Sequence, residues 1–284
     1  MLIVRPPVVA GQFYDIDPTR LRKQIESAIE KAEGRKKIKG KFNAAVVPHA
    51  GYMYSGWVAA YFYSMIEPHS PKNYIILGPN HSLAGSEYAI MKRGLWKTPL
   101  GGVTVDEKMA DSLLRRCELF EHDVIPHQYE HSIEVQLPFL QYKIGSDFKF
   151  VPISIKSETA DDTLLDGCRI VGKAIADAIK SSKKSSKEDW LIIASSDFSH
   201  YIPEKLAEEV DNYLIKSILK LNEKSFFDRV AERNASVCGF GAIAAAIVAA
   251  KELGGKSGKL LKYATSADVS GDTSAVVGYA AVLL

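Results

Sequence analysis

An α/β fold with a mostly parallel central sheet and helices on both faces is predicted by three features of this 284-residue sequence. Short, continuously apolar runs such as "YIIL" and "WLIIA" have the composition of strands buried on both sides. Segments with four-residue apolar spacing separate them. The connections are long enough for helical crossovers between parallel strands.

The elements follow in order. "PTRLRKQIESAIEKAEG" repeats Leu21, Ile25 and Ile29 at helical spacing and stops at Gly34. "KFNAAVVPHAGY" reads as a strand broken at Pro48, with a helix in "SGWVAAYFYSMI" after it. "NYIILGPNHS" is a second buried strand ending in Gly78-Pro79. "VDEKMADSLLRRC" carries acids in its first turn and arginines in its last, as the helix dipole favours. A strand in "FKFVPISI", a helix in "ADDTLLDGCRIVGKAIADAIKS" and a strand in "WLIIASSD" come next. Helices at about 204–221 and 240–253 precede two final strands, "KLLKYATS" and "SAVVGYAAVLL". No repeat or composition break divides the chain, so residues 1–284 are expected to form a single domain.

Composition excludes several classes. Hydrophobic residues make up 46% and charged residues 25%, with a formal net charge of +2, so nothing pulls the chain toward nucleic acid or a membrane. No apolar run reaches the roughly 18 residues that span a bilayer, and "MLIVRPPVVAGQFY" lacks the order of a signal peptide. A cytoplasmic location is expected. Three widely spaced cysteines, Cys117, Cys168 and Cys238, argue against a disulfide framework. The "EGRKKIKGK" stretch and "KSSKKSSKED" (180–189) read as solvated loops.

The polar residues gather at strand ends. "AAVV" runs into Pro48-His49, "YIIL" into Gly78-Pro79-Asn80-His81, and "LIIA" into "SSDFSH", which contains Asp197 and His200. In an open parallel sheet all carboxyl ends share one edge, and ligands bind just outside it. One loop histidine is ordinarily only solvated. Three after three strands point to a shared site, with imidazole a ligand for zinc, copper or iron. Cys238, at the front of the apolar helix in "SVCGFGAIAAAIVAA", offers a third donor whose thiolate the helix N-terminus favours. A small buried cysteine is the competing reading. Asp197 is placed to hold the His200 ring, against a plain helix cap as the alternative. In "HQYEHSIEVQLPFLQ", His131 and Glu134 are three apart and are expected to share a helix face, as second-shell or substrate-binding groups beside Tyr52, Tyr54 and Asn80. Ile133, Leu137 and Leu140 supply that helix with a core face in either case.

"GQFYD", "PHAGYMYSG", "ILGPNHS", "EHSIEVQLPF", "SSDFSHY" and "CGFGA" together resemble the Memo family, also called AmmeMemoRadiSam system protein B, in content and order from about Gly11 onward. That family looks like the class III extradiol dioxygenases, the LigB-like enzymes, which hold non-haem iron with two histidines and a glutamate. The resemblance implies His49 and His81 as metal ligands, Cys238 at the third position and His200 as the acid/base group. It implies iron or copper, with zinc as a further option, and a dioxygenase-like oxidoreductase if the protein is an enzyme. It also implies association with an AMMECR1-like protein and a radical-SAM protein. A thiolate in place of the carboxylate departs from the facial triad of oxygen-activating iron and favours softer metals. Two other functions compete: a peptide- or metal-binding module without turnover, and a metal-dependent hydrolase using Glu134 as base.

Overall fold

The computed structural model describes residues 3–32, 42–67, 73–186 and 189–284. The basic stretch at 33–41 lies outside the described residues. The chain begins with β1 (Val4–Arg5), α1 (Pro18–Ala32), β2 (Ala44–Val47), α2 (Trp57–Tyr63) and β3 (Asn73–Pro79). Next come β4 (Tyr88–Ile90), β5 (Leu95–Thr98), β6 (Gly101–Val105), α3 (Glu107–Arg116), β7 (Phe120–His122), α4 (Ile125–Gln128), α5 (Leu137–Ile144) and β8 (Lys149–Ile155). Then follow α6 (Asp162–Ser186), β9 (Trp190–Ser195), β10 (His200–Ile202), α7 (Glu204–Leu219) and α8 (Glu223–Arg233). The last elements are α9 (Phe240–Glu252), β11 (Lys259–Thr265), α10 (Ala267–Ser270) and β12 (Val276–Leu283).

The strands form one continuous sheet. Its centre, in the order β6-β8-β3-β9-β2, is parallel throughout. Antiparallel partners flank it, β5 on one side and β12 on the other, with β10 and β11 paired to β12. Each central strand is apolar on both sides because both sides are covered. Val46, Ile75, Leu77, Ile192 and Ala194 face a core shared with α3, α6, α7, α8 and α9. Their chain neighbours Val47, Tyr74, Ile76, Leu191 and Ile193 face a second core shared with α1, α2 and α5. Strand periodicity of two accounts for the alternation.

Helix ends follow side-chain caps. Asp106 accepts from the Met109 N–H at the start of α3 (2.8 Å), and Asn222 accepts from the Ser225 N–H at the start of α8 (2.9 Å). Asn234 closes α8 in the left-handed conformation, φ 45°. Three expectations need correction. Helix α8, the antiparallel β5–β6 hairpin and the short strands β1, β4, β7 and β10 are additions to the predicted elements. Helix α6 runs on to Ser186, so most of the stretch expected as a loop at 180–189 is helical. The stretch 127–141, expected as one amphipathic helix, is instead the end of α4, a turn, a 3-10 turn at Glu134–Gln136 and the start of α5. Glu130 explains the break. Its carboxylate turns back to accept from the Ser132 N–H (2.8 Å), taking an amide that a helix needs.

Candidate metal centre

Strand β9 lies between β3 and β2, so three neighbouring carboxyl ends deliver the predicted polar groups to one point. His49 leaves β2 and is buried, 2% exposed. Its backbone N–H donates to Asp197 Oδ1 (2.8 Å), and its Nδ1 lies 3.1 Å from Ser195 Oγ at the end of β9. His81 leaves β3 with its Nδ1 on Glu130, 3.0 Å to Oε1. The His81 backbone N–H also donates to that carboxylate (2.8 Å).

His131 stacks on His81 with ring centroids 4.8 Å apart, and its Nδ1 lies 3.4 Å from the same Glu130 oxygen. One ring nitrogen from each of His49, His81 and His131 falls within 4.8 Å of the other two. Cys238 arrives from another direction, just before α9. A side chain on Gly239 would place its Cβ 2.7 Å from the Ser195 carbonyl, so only glycine lets this loop close on β9. Sγ then sits 3.3 Å from His49 Nε2 and accepts from the Asp197 N–H (3.3 Å).

Electrostatics divide the cluster. Burial, reinforced by repulsion from His131 and His81, holds His49 well below the usual histidine range. Burial likewise lowers His131 to about 4, against the attraction of Glu130. Burial also opposes the charged form of His81, but the hydrogen bond and charge of Glu130 outweigh it and raise that pKa. Glu130 itself is buried, which raises a carboxyl; its hydrogen bond from His81 and the nearby imidazoles prevail and hold it far below the carboxylate range. Burial raises Asp197, against the amides of His49 and Ala50. The neutral ring of His49, its Nδ1 beside Ser195, is prepared to offer Nε2 to a metal, whereas His81 must first give up the proton that Glu130 favours.

A sequence model of the family described as Memo-like protein matches residues 5–283. The chain belongs to the Memo family. The MEMO1 family protein of Methanosarcina mazei is 45% identical over 281 residues, covering 99% of both chains. The corresponding proteins of Methanopyrus kandleri and Sulfolobus acidocaldarius are each 44% identical, covering 98% and 99% of both chains respectively. Among solved structures, an uncharacterized protein from Escherichia coli K12 shares the fold with TM-score 0.54 at 12% identity, covering 86% of this chain and 100% of that one.

In this Memo-family chain a cleft of about 690 Å³ opens on the histidines, bordered by Phe13, Tyr54, His200, Tyr201 and Tyr279. His200 is half-buried at the rim, on a β10 strand whose bulge against β12 shifts the register between His200 and Ile202. Asp197 does not hold its ring, as had been expected. Nδ1 of His200 donates to the Ser236 carbonyl (2.6 Å), while Asp197 is bonded to the His49 and Ala50 amides. That hydrogen bond leaves Nε2 of His200 with its lone pair free to accept a proton.

Glu134 does not share a face with His131. It is fully buried beside Arg5, 2.6 Å away, and accepts from Tyr14 Oη and the Val9 N–H. Tyr52 is buried with its hydroxyl donating to the Val135 carbonyl (2.6 Å), whereas Tyr54 lines the cleft. Asn80 shapes the turn after β3 by donating to the Ala84 carbonyl (2.7 Å) and accepting from Ser82. Burial pushes the Cys238 thiol up, opposite to the effect expected of a helix start. Cys117 and Cys168 are core residues. Glu130, although it adjoins His131, is not among the residues that the sequence pattern singles out, nor are Ser195, Gln136 and Ser236 as hydrogen-bonding partners.

Proposed function

We propose that this Memo-family protein holds one iron or copper ion on His49 and His81, with His131 and Cys238 as flanking donors, and serves as a redox enzyme on a small substrate. The observation that supports it most is the convergence of three imidazoles, one nitrogen of each within 4.8 Å of the other two, with Glu130 and Ser195 beside the Nδ1 atoms of His81 and His49. The donor set fits a metal. With typical metal–nitrogen and metal–sulfur bonds of ~2.0 and ~2.3 Å, two tetrahedral donors lie roughly 3.5 Å apart, and Cys238 Sγ is 3.3 Å from His49 Nε2. Three imidazoles and a thiol suit copper, iron or zinc.

A bound iron or copper ion would supply Lewis acidity and one-electron redox chemistry at this point. The protein's own groups do the remainder. Phe13, Tyr54 and Tyr279 enclose the substrate, and His200 Nε2 takes or returns a proton at the rim. Asp197 keeps the backbone of His49 and Ala50 in place. The hydrolase alternative loses its expected base, because Glu134 is locked against Arg5.

Metal analysis of protein purified without chelator tests the reading. The His49→Ala, His81→Ala double variant should lose its iron or copper. His200→Gln should keep the metal but lose about a hundredfold of metal-dependent oxygen uptake with catechol or thiol substrates. Unchanged metal content in the double variant overturns the metal site. A metal-loaded wild type without turnover favours the binding module.

A further inference from the structure

We propose that a buried, uncharged hydrogen-bond chain of Tyr63, Gln136 and Ser195 fixes His49 in a single tautomer, with the proton on Nδ1 and the lone pair on Nε2. Ser195 and Gln136 are thereby positioning residues for the histidine cluster. Every member is at most 2% exposed, so water cannot substitute for a missing partner.

Donor counting settles each proton in turn. One atom of the Gln136 amide lies 3.0 Å from the Pro48 carbonyl, which can only accept, so that atom is the nitrogen. The other, Oε1, then accepts from the Tyr63 hydroxyl at 2.6 Å. The second N–H of Gln136 donates to Ser195 Oγ at 2.7 Å. Ser195 has one hydrogen, and the Ser132 carbonyl takes it at 2.7 Å. Toward His49 Nδ1, 3.1 Å away, Ser195 can therefore only accept.

His49 must donate, and Nδ1 carries its proton. Nε2 is left as an acceptor where Cys238 Sγ stands 3.3 Å away, within reach of the thiol hydrogen. The opposite tautomer sets two lone pairs against each other at Ser195; at Cys238 the thiol can turn to the Asp197 carbonyl, 3.7 Å away, so the decision is made at Ser195. No rotation of a hydroxyl relieves this, because the carbonyls of Pro48 and Ser132 fix both ends.

The tautomer follows from the protein's own partners. Only its consequence, a lone pair aimed at a metal, rests on the reading proposed above. Long-range proton–nitrogen NMR of the histidine rings in metal-free, nitrogen-15-labelled protein reads the tautomer directly, with His49 assigned by its loss in His49→Gln. The measurement is made at a pH where the ring is neutral. The wild type should show Nδ1–H. Ser195→Ala should release it to a mixture or to Nε2–H, and Ser195→Thr should restore it.

Zinc(II) titration of the same three proteins should show a ten- to hundredfold loss of affinity in Ser195→Ala only, the size typical of removing a ligand's outer partner. An Nε2–H tautomer in the wild type overturns the proposal, as does an unchanged tautomer in Ser195→Ala. A tautomer that shifts while zinc affinity stays the same supports the chain and overturns the metal reading instead.

Discussion

The imidazole of His49 leans on an uncharged chain built into the sheet, Ser195 to Gln136 to Tyr63. His81 and His131, less than 6 Å from it between ring centroids, share instead the carboxylate of Glu130, on a loop ahead of α5. That loop is tied down by more charge. Arg5 donates to the carbonyls of His127 (2.6 Å) and Glu130 (2.5 Å), pairs with buried Glu134 (2.6 Å) and lies 4.0 Å over the Trp96 ring. A neutral buried chain needs only matched donors and acceptors, whereas buried charges need counter-charges as well. One side of the cluster is therefore fixed by geometry and the other by protonation state.

The largest effect should come from Arg5→Leu. It strands the Glu134 carboxylate in the core, which costs about 3–5 kcal/mol when a buried pair loses one partner. Denaturant titration measures the loss. If Arg5 serves only the charged side, the His49 tautomer should survive wherever the variant still folds. A change below ~1 kcal/mol would falsify the view that this pair anchors the loop.

His127 sharpens the contrast through pH. Burial, aided by the charge of Arg5, lowers its pKa to about 4. In the unfolded chain it titrates near ~6.5, so below that pH the unfolded state binds a proton that the folded state refuses. Stability conferred by this site therefore falls by ~1.4 kcal/mol per pH unit from pH ~6.5 down to about 4. Asp211 runs the other way: burial raises it to about 6 against its hydrogen bonds from Ser199 and Tyr263, so it favours folding as pH drops below that value. The informative quantity is the difference between wild type and His127→Phe in metal-free urea titrations from pH 7 to 5. The variant should lose less stability on acidification, and parallel curves would remove His127 from the account.

The smallest expected change is in Glu130→Gln, where a ten- to hundredfold loss of metal affinity is expected. Both rings lean on one carboxylate oxygen, and the backbone N–H groups of Ser132 and His81 donate to the two oxygens in turn, so an amide there sets its own N–H groups against a donor whichever way it is turned. Comparison with Ser195→Ala then shows which side the metal depends on more. Equal affinity of Glu130→Gln and wild type would mean that the shared carboxylate does not orient His81 and His131.

Much of this was legible in the sequence because it is local. "AAVV", "YIIL" and "LIIA" declare buried strands by composition, and parallel topology then sends His49, His81 and Asp197 to one edge. The antiparallel β11–β12 pair was legible too, since ten residues (266–275) cannot make a parallel crossover. The "TPLGG" turn between β5 and β6 carried a hairpin signal that had gone unread. What stayed hidden is long-range. Nothing near Arg5 announces that it pairs with Glu134, and nothing near Gln136 announces Ser195 or Tyr63. Three-residue spacing drew attention to Glu134 as the partner of His131, whereas the adjacent Glu130 breaks that helix and faces the rings itself.

The strand that presents His49 has a consequence for the order of folding. Strand β2 is four residues long, and its partners come from far along the chain: Val46 pairs with Ala194 on one side and with Val282 on the other. Such pairings close large loops, and their entropy must be overcome before any contact rewards it. Helical contacts such as those of α7 with α8 are local and form on shorter timescales. His49 is thus presented by a strand whose pairings are far from local, and assembly of the histidine cluster is expected late in folding. Metal supplied to the refolding chain should be captured with the kinetics of that late step, after most helical structure has formed.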